Sequence, residues 1–318
     1  MNLLLAGEFD GREAAEWLLA LRAALPGHSV RLAQGLTASD PSIDAAIVAN
    51  PTPGSLSGLP GLRLIQSLWA GVDRLLADPS LPAGVPIARM VDPAMTAAMA
   101  ETALWATLSL HRDFFSYARQ QRAGQWQRRS QQRADEVPVL VLGHGQMGRA
   151  VAQRLAQHGY PVTAWRRGAA PADRANANAG VRLATGTAAL VPALSGARIV
   201  INLLPLTPDT RGLIDSRLLA ALPRGAGLVN LARGAHLVDA DLLAALDSAQ
   251  VGHAVLDVFH AEPLPPGHPY WRHDRVTVLP HAAAATDTRS AAAVVARNIE
   301  ALAAGRPLAD LVTRSAGY

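Results

Sequence analysis

Short apolar runs alternate with an amphipathic helical stretch along the first part of the chain. Runs of four to six apolar or β-forming residues predict strands, and apolar positions at helical spacing predict a helix that Pro26 and Gly27 end. Strands that alternate with helices are typical of an α/β layer with a parallel sheet. The predicted strands are Leu3–Ala6, Ala45–Val48 and Leu62–Ser67, and the predicted helix is Glu13–Leu25.

A longer helical pattern follows, from about Thr96 to Gln121. Apolar residues cover most of its circumference, as Ala103, Leu104 and Leu108 illustrate. A helix that is apolar on several sides is buried on several sides, and an interface between subunits is one way to bury it.

The second half of the chain is the most regular. Apolar strands are separated by helical segments such as Asp239–Asp247, and a last helix is predicted over Asp287–Ala304, before Gly305. This periodicity is typical of a doubly wound sheet. The strands predicted here are Val139–Leu142, Pro161–Trp165, Ile199–Leu203, Ala226–Leu231 and Ala254–Val258.

The length of 318 residues favours two domains over one. We expect the first domain to run from Met1 to Asp92 and to be completed by residues 285–318. The second domain is expected between these parts, over residues 93–284.

The composition excludes several classes of protein. Half of the residues are hydrophobic and 17% are charged, which argues against a disordered chain. With no cysteine there are no disulfides, no thiolate chemistry and no cysteine-ligated metal centre. No stretch approaches the ~20 apolar residues of a membrane span, and the run after Met1 is too short for a secretory signal. We expect a soluble, cytoplasmic protein without membrane association.

The charge and the placement of the histidines limit which ligands and partners are expected. The formal net charge is +4, and the densest basic run, Arg119–Arg133, is more typical of a solvated helix end or subunit contact than of a nucleic-acid site. A basic surplus suits anionic substrates and cofactors, so no nucleic-acid partner is expected. No metal site is expected, because the histidines lack zinc-ligand spacing. They include His111, His253, His260, His268 and His273.

A G-x-G-x-x-G sequence lies directly between a predicted strand and a predicted helix. Gly143 permits the tight turn, Gly145 lets the backbone approach a pyrophosphate, and Gly148 allows the helix to pack on the strand. The amides of Gln146 and Met147 would open the helix and face the phosphates. A purely structural glycine turn is the alternative, and the strand–turn–helix context favours a dinucleotide site.

The end of the next predicted strand indicates which dinucleotide. Proteins that bind NAD usually have an acidic residue there for the ribose hydroxyls, whereas this chain has Trp165, Arg166 and Arg167. Two guanidinium groups suit a 2′-phosphate. We expect NADP(H) to be preferred, with NAD(H) possible; the alternative is a solvated loop with two arginines.

Three later segments each have an ionisable residue just beyond an apolar strand, at the edge where open α/β sheets bind ligands. These residues are Arg233, Glu262 and His281. Individually they could be a surface cation, a turn cap and a structural histidine. Together they suggest chemistry, because a carboxylate bonded to an imidazole fixes its tautomer and a guanidinium can bind a substrate carboxylate.

Several stretches make the chain resemble the D-isomer-specific 2-hydroxyacid dehydrogenases, and within them the glyoxylate and hydroxypyruvate reductases. The resemblance covers nearly the whole chain and is most specific in the second half. It is carried by residues 67–73, 202–214, 230–234, 256–265, 279–281 and 317–318.

The resemblance implies two Rossmann-like domains with parallel sheets, the cofactor domain being inserted into the substrate domain. It also implies a homodimer through the helix near residues 96–121, and NADPH-dependent reduction of small 2-oxo acids such as glyoxylate and hydroxypyruvate.

The resemblance implies roles for individual residues as well. Arg233 would hold the carboxylate and carbonyl oxygen of the substrate, His281 would donate the proton, and Glu262 would keep His281 protonated. The backbone amides of Ala70 and Gly71 would bind the substrate carboxylate. For the cofactor, Asp257 would face the nicotinamide carboxamide, and the other predicted contacts are Leu204, Pro205 and Leu231.

Trp69, in the expected substrate loop, stands where this branch commonly has a small residue. With Tyr270 and Trp271 it raises the alternative of a bulkier or aromatic 2-oxo acid. A second alternative is a non-catalytic nicotinamide sensor like the corepressors of this superfamily, although the set of catalytic residues expected of an enzyme is complete.

Overall fold

The computed structural model describes residues 1–33, 40–168 and 180–318. The chain forms two compact units. The first comprises Met1–Met95 and Thr286–Tyr318, and the second comprises Thr96–Ala285. The second unit is therefore inserted in the sequence of the first.

Twelve strands and nine α-helices lie in the described ranges. The strands are β1 (Asn2–Gly7), β2 (Ser29–Leu32), β3 (Ala45–Ala49), β4 (Leu64–Ser67), β5 (Ile87–Ala88), β6 (Val139–Leu142), β7 (Val162–Arg166), β8 (Val181–Thr185), β9 (Ile199–Asn202), β10 (Ala226–Asn230), β11 (Val251–Leu256) and β12 (Val276–Val278). The helices are α1 (Gly11–Ala24), α2 (Asp73–Leu76), α3 (Pro93–His111), α4 (Phe114–Arg122), α5 (Gln146–Gln157), α6 (Leu190–Ser195), α7 (Ser216–Ala220), α8 (Asp239–Asp247) and α9 (Thr288–Ala303).

The first unit is built on a five-stranded parallel sheet in the order β2-β1-β3-β4-β5. Helix α1 begins at a capping box, in which the Asp10 carboxylate accepts the amides of Arg12 and Glu13 at 2.8 Å each. Its apolar side, including Trp17 and Leu21, is buried. Local capping and an apolar face therefore explain why this segment is helical.

Helix α9 returns the end of the chain to the first unit. The Asp287 side chain caps it by accepting the amide of Arg289 at 2.9 Å. Further along, Nδ2 of buried Asn298 donates to Oε1 of buried Gln66 in β4 at 2.7 Å. Because an unpaired buried amide is unfavourable, this hydrogen bond fixes α9 against the sheet.

The second unit is built on a seven-stranded parallel sheet in the order β12-β11-β10-β9-β6-β7-β8. Alternate residues of β6 face opposite sides: Leu140 and Leu142 belong to one hydrophobic core, Val139 and Val141 to another. A sheet covered on both faces requires apolar residues at every strand position, as in β6. The two parallel sheets confirm the predicted α/β fold.

The predicted helix over residues 96–121 is two helices, so that prediction was wrong in its continuity. Between α3 and α4 the chain adopts the left-handed conformation at Asp113, with φ 58°, a conformation that Asp tolerates better than most residues. A hydrophobic pattern does not reveal such a break, because Phe114 resumes the apolar sequence.

Within the described ranges, no helix has both the length and the apolar character that crossing a membrane requires.

Close approach of α5 to β6 depends on Gly148. A Cβ at this residue would lie 1.8 Å from the carbonyl oxygen of Gly143. Gly143 itself has φ 100°, where residues with a Cβ are strained. The start of α5 can therefore pack on the turn only without a side chain at residue 148.

We predict that Gly148→Ala lowers the melting temperature measured by calorimetry, because overpacking of this kind destabilises by about 1–3 kcal/mol or more. Gly145→Ala is the control: a Cβ there would meet no atom within 4 Å, and the backbone φ of −76° suits alanine. Equal melting temperatures for both variants and the wild type would contradict this account of Gly148.

Candidate active site

Three predicted site residues follow three adjacent strands of the second unit. Arg233 follows β10, Glu262 follows β11 and His281 follows β12, and β11 pairs with both of the others in parallel. Parallel strands end at the same edge of a sheet, so the fold brings these loops together.

His281 and Glu262 form a hydrogen-bonded pair. Nδ1 of His281 lies 2.7 Å from Oε2 of Glu262, and Oε1 of the same carboxylate accepts the amide of Phe259 at 2.9 Å. The side chains are 51% and 34% exposed. Because Nδ1 faces a carboxylate, it carries a hydrogen, and Nε2 makes no hydrogen bond with any described residue. The ring is oriented so that Nε2 can contact a ligand.

The backbone of His281 is held in the left-handed conformation, with φ 53°. Its amide donates to the carbonyl of Asp257 at 2.9 Å. The Asp257 carboxylate accepts the amides of Ala282 at 2.7 Å and Ala283 at 3.1 Å. A left-handed residue with a side chain is unfavourable by about 1–2 kcal/mol, and these hydrogen bonds offset that strain.

Asp257 is only 1% exposed. Burial raises the pKa of its carboxyl above the ordinary range, and the hydrogen bonds from Ala282 and Ala283 act in the opposite direction. Both carboxylate oxygens are used inside the turn, so the expected contact with a nicotinamide carboxamide stays a prediction.

The loop that carries Arg233 is fixed by two buried asparagines. Nδ2 of Asn202 donates to Oδ1 of Asn230 at 3.0 Å, and Nδ2 of Asn230 donates to the carbonyl of Arg233 at 3.0 Å. Both asparagines are fully buried. Neither asparagine was predicted to have a role, although a polar residue at the end of an apolar strand was a signal for one.

Gly234 lets the loops after β10 and β11 touch. A Cβ at Gly234 would lie 2.0 Å from the carbonyl carbon of Phe259. The Arg233 side chain is half-buried, and its Nη1 donates to the carbonyl of Ala232 at 2.8 Å. The two loops that carry Arg233 and Glu262 are therefore packed backbone to backbone.

The glycine-rich turn leaves space for a phosphate. Gly145 and Gln146 are exposed at the start of α5, and no atom lies within 4 Å of where a Cβ at Gly145 would be. Helix amino ends favour anions because their amides lack partners within the helix. Met147 is half-buried against the core. This arrangement fits the pyrophosphate of a dinucleotide.

Two arginines lie at the carboxyl end of β7. The Nε of Arg166 is buried and has no hydrogen-bond partner among the described residues. Nη1 of Arg167 contacts Oδ2 of Asp209, a residue of the loop after β9. A buried guanidinium nitrogen without a partner fits an anionic group that binds there.

The side chains of two predicted cofactor contacts lie in the hydrophobic core. The Trp165 side chain is 3% exposed in the core, and its Nε1 donates to the carbonyl of Gly186 at 2.9 Å. The Leu231 side chain is likewise buried in the core. Their side chains serve packing, because an apolar residue at a strand end points into the core as readily as toward a ligand. Leu204 is buried and Pro205 is half-buried in the loop after β9.

Trp69, Ala70 and Gly71 form a half-buried loop after β4 in the first unit. Oγ of Ser67 accepts the amide of Trp69 at 3.0 Å, and the carbonyl of Trp69 accepts the amide of Met90 at 3.0 Å. The loop therefore has a defined backbone.

Tyr270 does not support the alternative of a bulkier substrate. It is 2% exposed, and its hydroxyl donates to Oδ1 of Asp239 at 2.9 Å. Trp271, by contrast, is 50% exposed.

Over the ranges that the structure describes, no group of three or more His, Asp or Glu side chains is arranged to hold a metal ion.

Comparison with known proteins points to one family. The family model of the D-isomer specific 2-hydroxyacid dehydrogenase NAD binding domain matches residues 104–283. Glyoxylate/hydroxypyruvate reductase A of Serratia proteamaculans (strain 568) is 40% identical, and the alignment covers all of both chains.

Solved structures are similar over the full length. A D-isomer specific 2-hydroxyacid dehydrogenase from Xanthobacter autotrophicus Py2, in complex with NADPH and MES, is 40% identical with a TM-score of 0.92, covering 100% of this chain and 99% of that one. An NADPH-dependent glyoxylate/hydroxypyruvate reductase from Sinorhizobium meliloti, in complex with NADP and sulfate, is 34% identical with a TM-score of 0.90 and the same coverage. The chain belongs to the D-isomer specific 2-hydroxyacid dehydrogenase family.

Proposed function

We propose that this protein is a cytoplasmic, NADPH-dependent reductase of small 2-oxo acids, with glyoxylate and hydroxypyruvate as substrates. The observation that carries the proposal is the 2.7 Å hydrogen bond between His281 and Glu262, which leaves Nε2 of His281 for a ligand. Arg233 lies on a loop from the same sheet edge. The relatives named above support the substrate class and the cofactor, and the absence of cysteine suits a reducing compartment.

The reaction needs a proton donor and a stabilised oxygen. When bound, the nicotinamide supplies a hydride to the keto carbon. His281 donates a proton from Nε2 to the carbonyl oxygen as charge develops there. Glu262 accepts a hydrogen bond from Nδ1 of His281 and so fixes the orientation of the imidazole. The Arg233 guanidinium stabilises the oxygen and binds the substrate carboxylate.

The remaining predicted contacts complete the proposal. The amides of Ala70 and Gly71 donate to the substrate carboxylate. The amides at the start of α5 bind the pyrophosphate, and Arg166 and Arg167 bind the 2′-phosphate. Asp257 faces the carboxamide, and the loop with Leu204 and Pro205 lines the adenosine.

We further propose a homodimer formed through α3, α4 and the segment that follows. Large apolar side chains are exposed here: Trp105 is 42% exposed, Phe114 54% and Trp126 96%. Aromatic residues are enriched in the cores of protein interfaces, and their burial by a partner would be favourable.

His281→Ala is expected to lower kcat by roughly 10²–10⁴-fold, the usual contribution of a positioned acid. The assay follows NADPH oxidation with glyoxylate. His158→Ala, which removes an exposed histidine at the end of α5, serves as the control and is expected to keep full activity. Near-normal turnover of His281→Ala would contradict the assigned role.

The double variant Arg166→Gln/Arg167→Gln is expected to lose about 10²- to 10⁴-fold in kcat/KM with NADPH and to change little with NADH. The reason is that charge-assisted hydrogen bonds to a 2′-phosphate contribute roughly 1.5–3 kcal/mol each. Arg198→Gln, at the opposite end of the sheet before β9, is the matched control. Equal losses with both cofactors would overturn the assignment.

Light scattering tests the dimer. The wild type is expected at about twice the chain mass of 33.3 kDa, and Trp105→Glu/Phe114→Glu at the mass of one chain, because a buried interface does not accept unpaired carboxylates. Leu19→Glu changes an exposed leucine of α1 (74% exposed) and is expected to stay dimeric. A monomeric wild type would refute the proposal.

A further inference from the structure

The ion pair between Arg167 and Asp209 joins two loops on either side of β6. Arg167 directly follows β7 and Asp209 lies in the loop after β9, and β7 and β9 are the two neighbours of β6. The backbones of β7 and β9 are therefore two strand spacings apart, roughly 10 Å. The two side chains bridge this separation at the sheet edge where the glycine-rich turn and the start of α5 lie.

The backbone on the Asp209 side is held in a closed turn. The amide of Thr207 donates to Oγ1 of Thr210 at 2.8 Å, and that hydroxyl donates to the carbonyl of Pro205 at 2.8 Å. Both threonines are buried. The Asp209 side chain is 71% exposed at the tip of this turn. Its carboxylate is thus presented from a fixed support.

The backbone on the arginine side is fixed as well. The carbonyl of Arg166 accepts the amide of Gly186 at 3.0 Å, which holds the end of β7. The Arg167 side chain is 42% exposed. Exposed ion pairs contribute little to stability, so Arg167 can leave Asp209 for a stronger acceptor.

A phosphate and a carboxylate compete for the same guanidinium. Both are anionic acceptors, and the donor fork of Arg167 carries one positive charge. Binding of a 2′-phosphate by Arg167 would displace Asp209 or leave its carboxylate close to the phosphate. NADH has no such phosphate and does not require Arg167 to move.

We propose that Asp209 is a specificity-determining residue, which competes with the 2′-phosphate for Arg167 and so reduces the preference for NADPH over NADH. This inference rests on the proposed function, in which Arg167 binds the 2′-phosphate. The carboxylate of Asp209, which would oppose the 2′-phosphate, lies on the β9 side of β6. Acidic residues that select NAD commonly lie instead at the end of the strand equivalent to β7.

The test measures dissociation constants of NADPH and NADH by calorimetry at one ionic strength. The variants are Asp209→Asn, Arg167→Gln and the double variant, which together form a double-mutant cycle. The cycle separates competition of Asp209 for Arg167 from direct repulsion between Asp209 and the 2′-phosphate. The control is Glu16→Gln, which removes one charge from an exposed arginine–carboxylate pair of the first unit and is expected to change neither constant.

Asp209→Asn is expected to tighten NADPH binding about two- to fivefold and to change NADH binding less than twofold. In the Arg167→Gln background the same change is expected to alter NADPH binding less than twofold. Weaker or unchanged NADPH binding in Asp209→Asn would overturn the inference, as would an equal gain in both backgrounds. A different result would show that the proposed function is wrong, because Arg167 would then not bind the 2′-phosphate. In that case Arg167→Gln alone would leave the ratio of the NADPH and NADH dissociation constants unchanged.

Discussion

The turn after β12 depends on the buried carboxylate of Asp257. It accepts the amides of Ala282 and Ala283, while the Asp257 carbonyl accepts the amide of His281. These hydrogen bonds hold His281 at a positive φ, from which its ring reaches Glu262. Burial raises the pKa of the Asp257 carboxyl. Its oxygens nevertheless have hydrogen-bond partners, because they accept amides of the turn that they organise. The orientation of His281, the proposed proton donor, therefore depends on a residue at the end of the neighbouring strand, β11.

Close backbone approach connects this turn to the rest of the sheet edge. Gly234 allows the Arg233 loop to contact Phe259, and the amide of Phe259 donates to Glu262. Asn202 and Asn230 carry the connection across β9 and β10. Four adjacent strand ends are thus connected by hydrogen bonds and by the contact between Gly234 and Phe259. Such networks are rigid when every member is satisfied, and rigidity is what positioning a proton donor requires.

Structure was predictable from the sequence where a residue type and its position have one physical meaning. The glycines of the turn after β6 and the strands of the second unit are of this kind, because close packing and burial on both faces leave few alternatives. Arg233, Glu262 and His281 were predicted from their positions just beyond apolar strands, and the family resemblance gave them roles. The structure adds how His281 and Glu262 meet. Less was predictable where tertiary contacts decide. Trp165 ends a strand and was expected to contact the cofactor, yet its ring completes the core. Asp113 breaks a continuous apolar pattern, and the pairing of Arg167 with Asp209 depends on two loops that are distant in sequence.

The central claim is that Glu262 contributes to turnover through His281. A double-mutant cycle on kcat with Glu262→Gln, His281→Ala and the double variant tests this most directly, since residues that act as a unit are not additive. We predict that Glu262→Gln lowers kcat by about tenfold or more when His281 is present, and by less than about twofold in the His281→Ala background. An equal reduction in both backgrounds would show that Glu262 acts independently of His281 and would contradict the account.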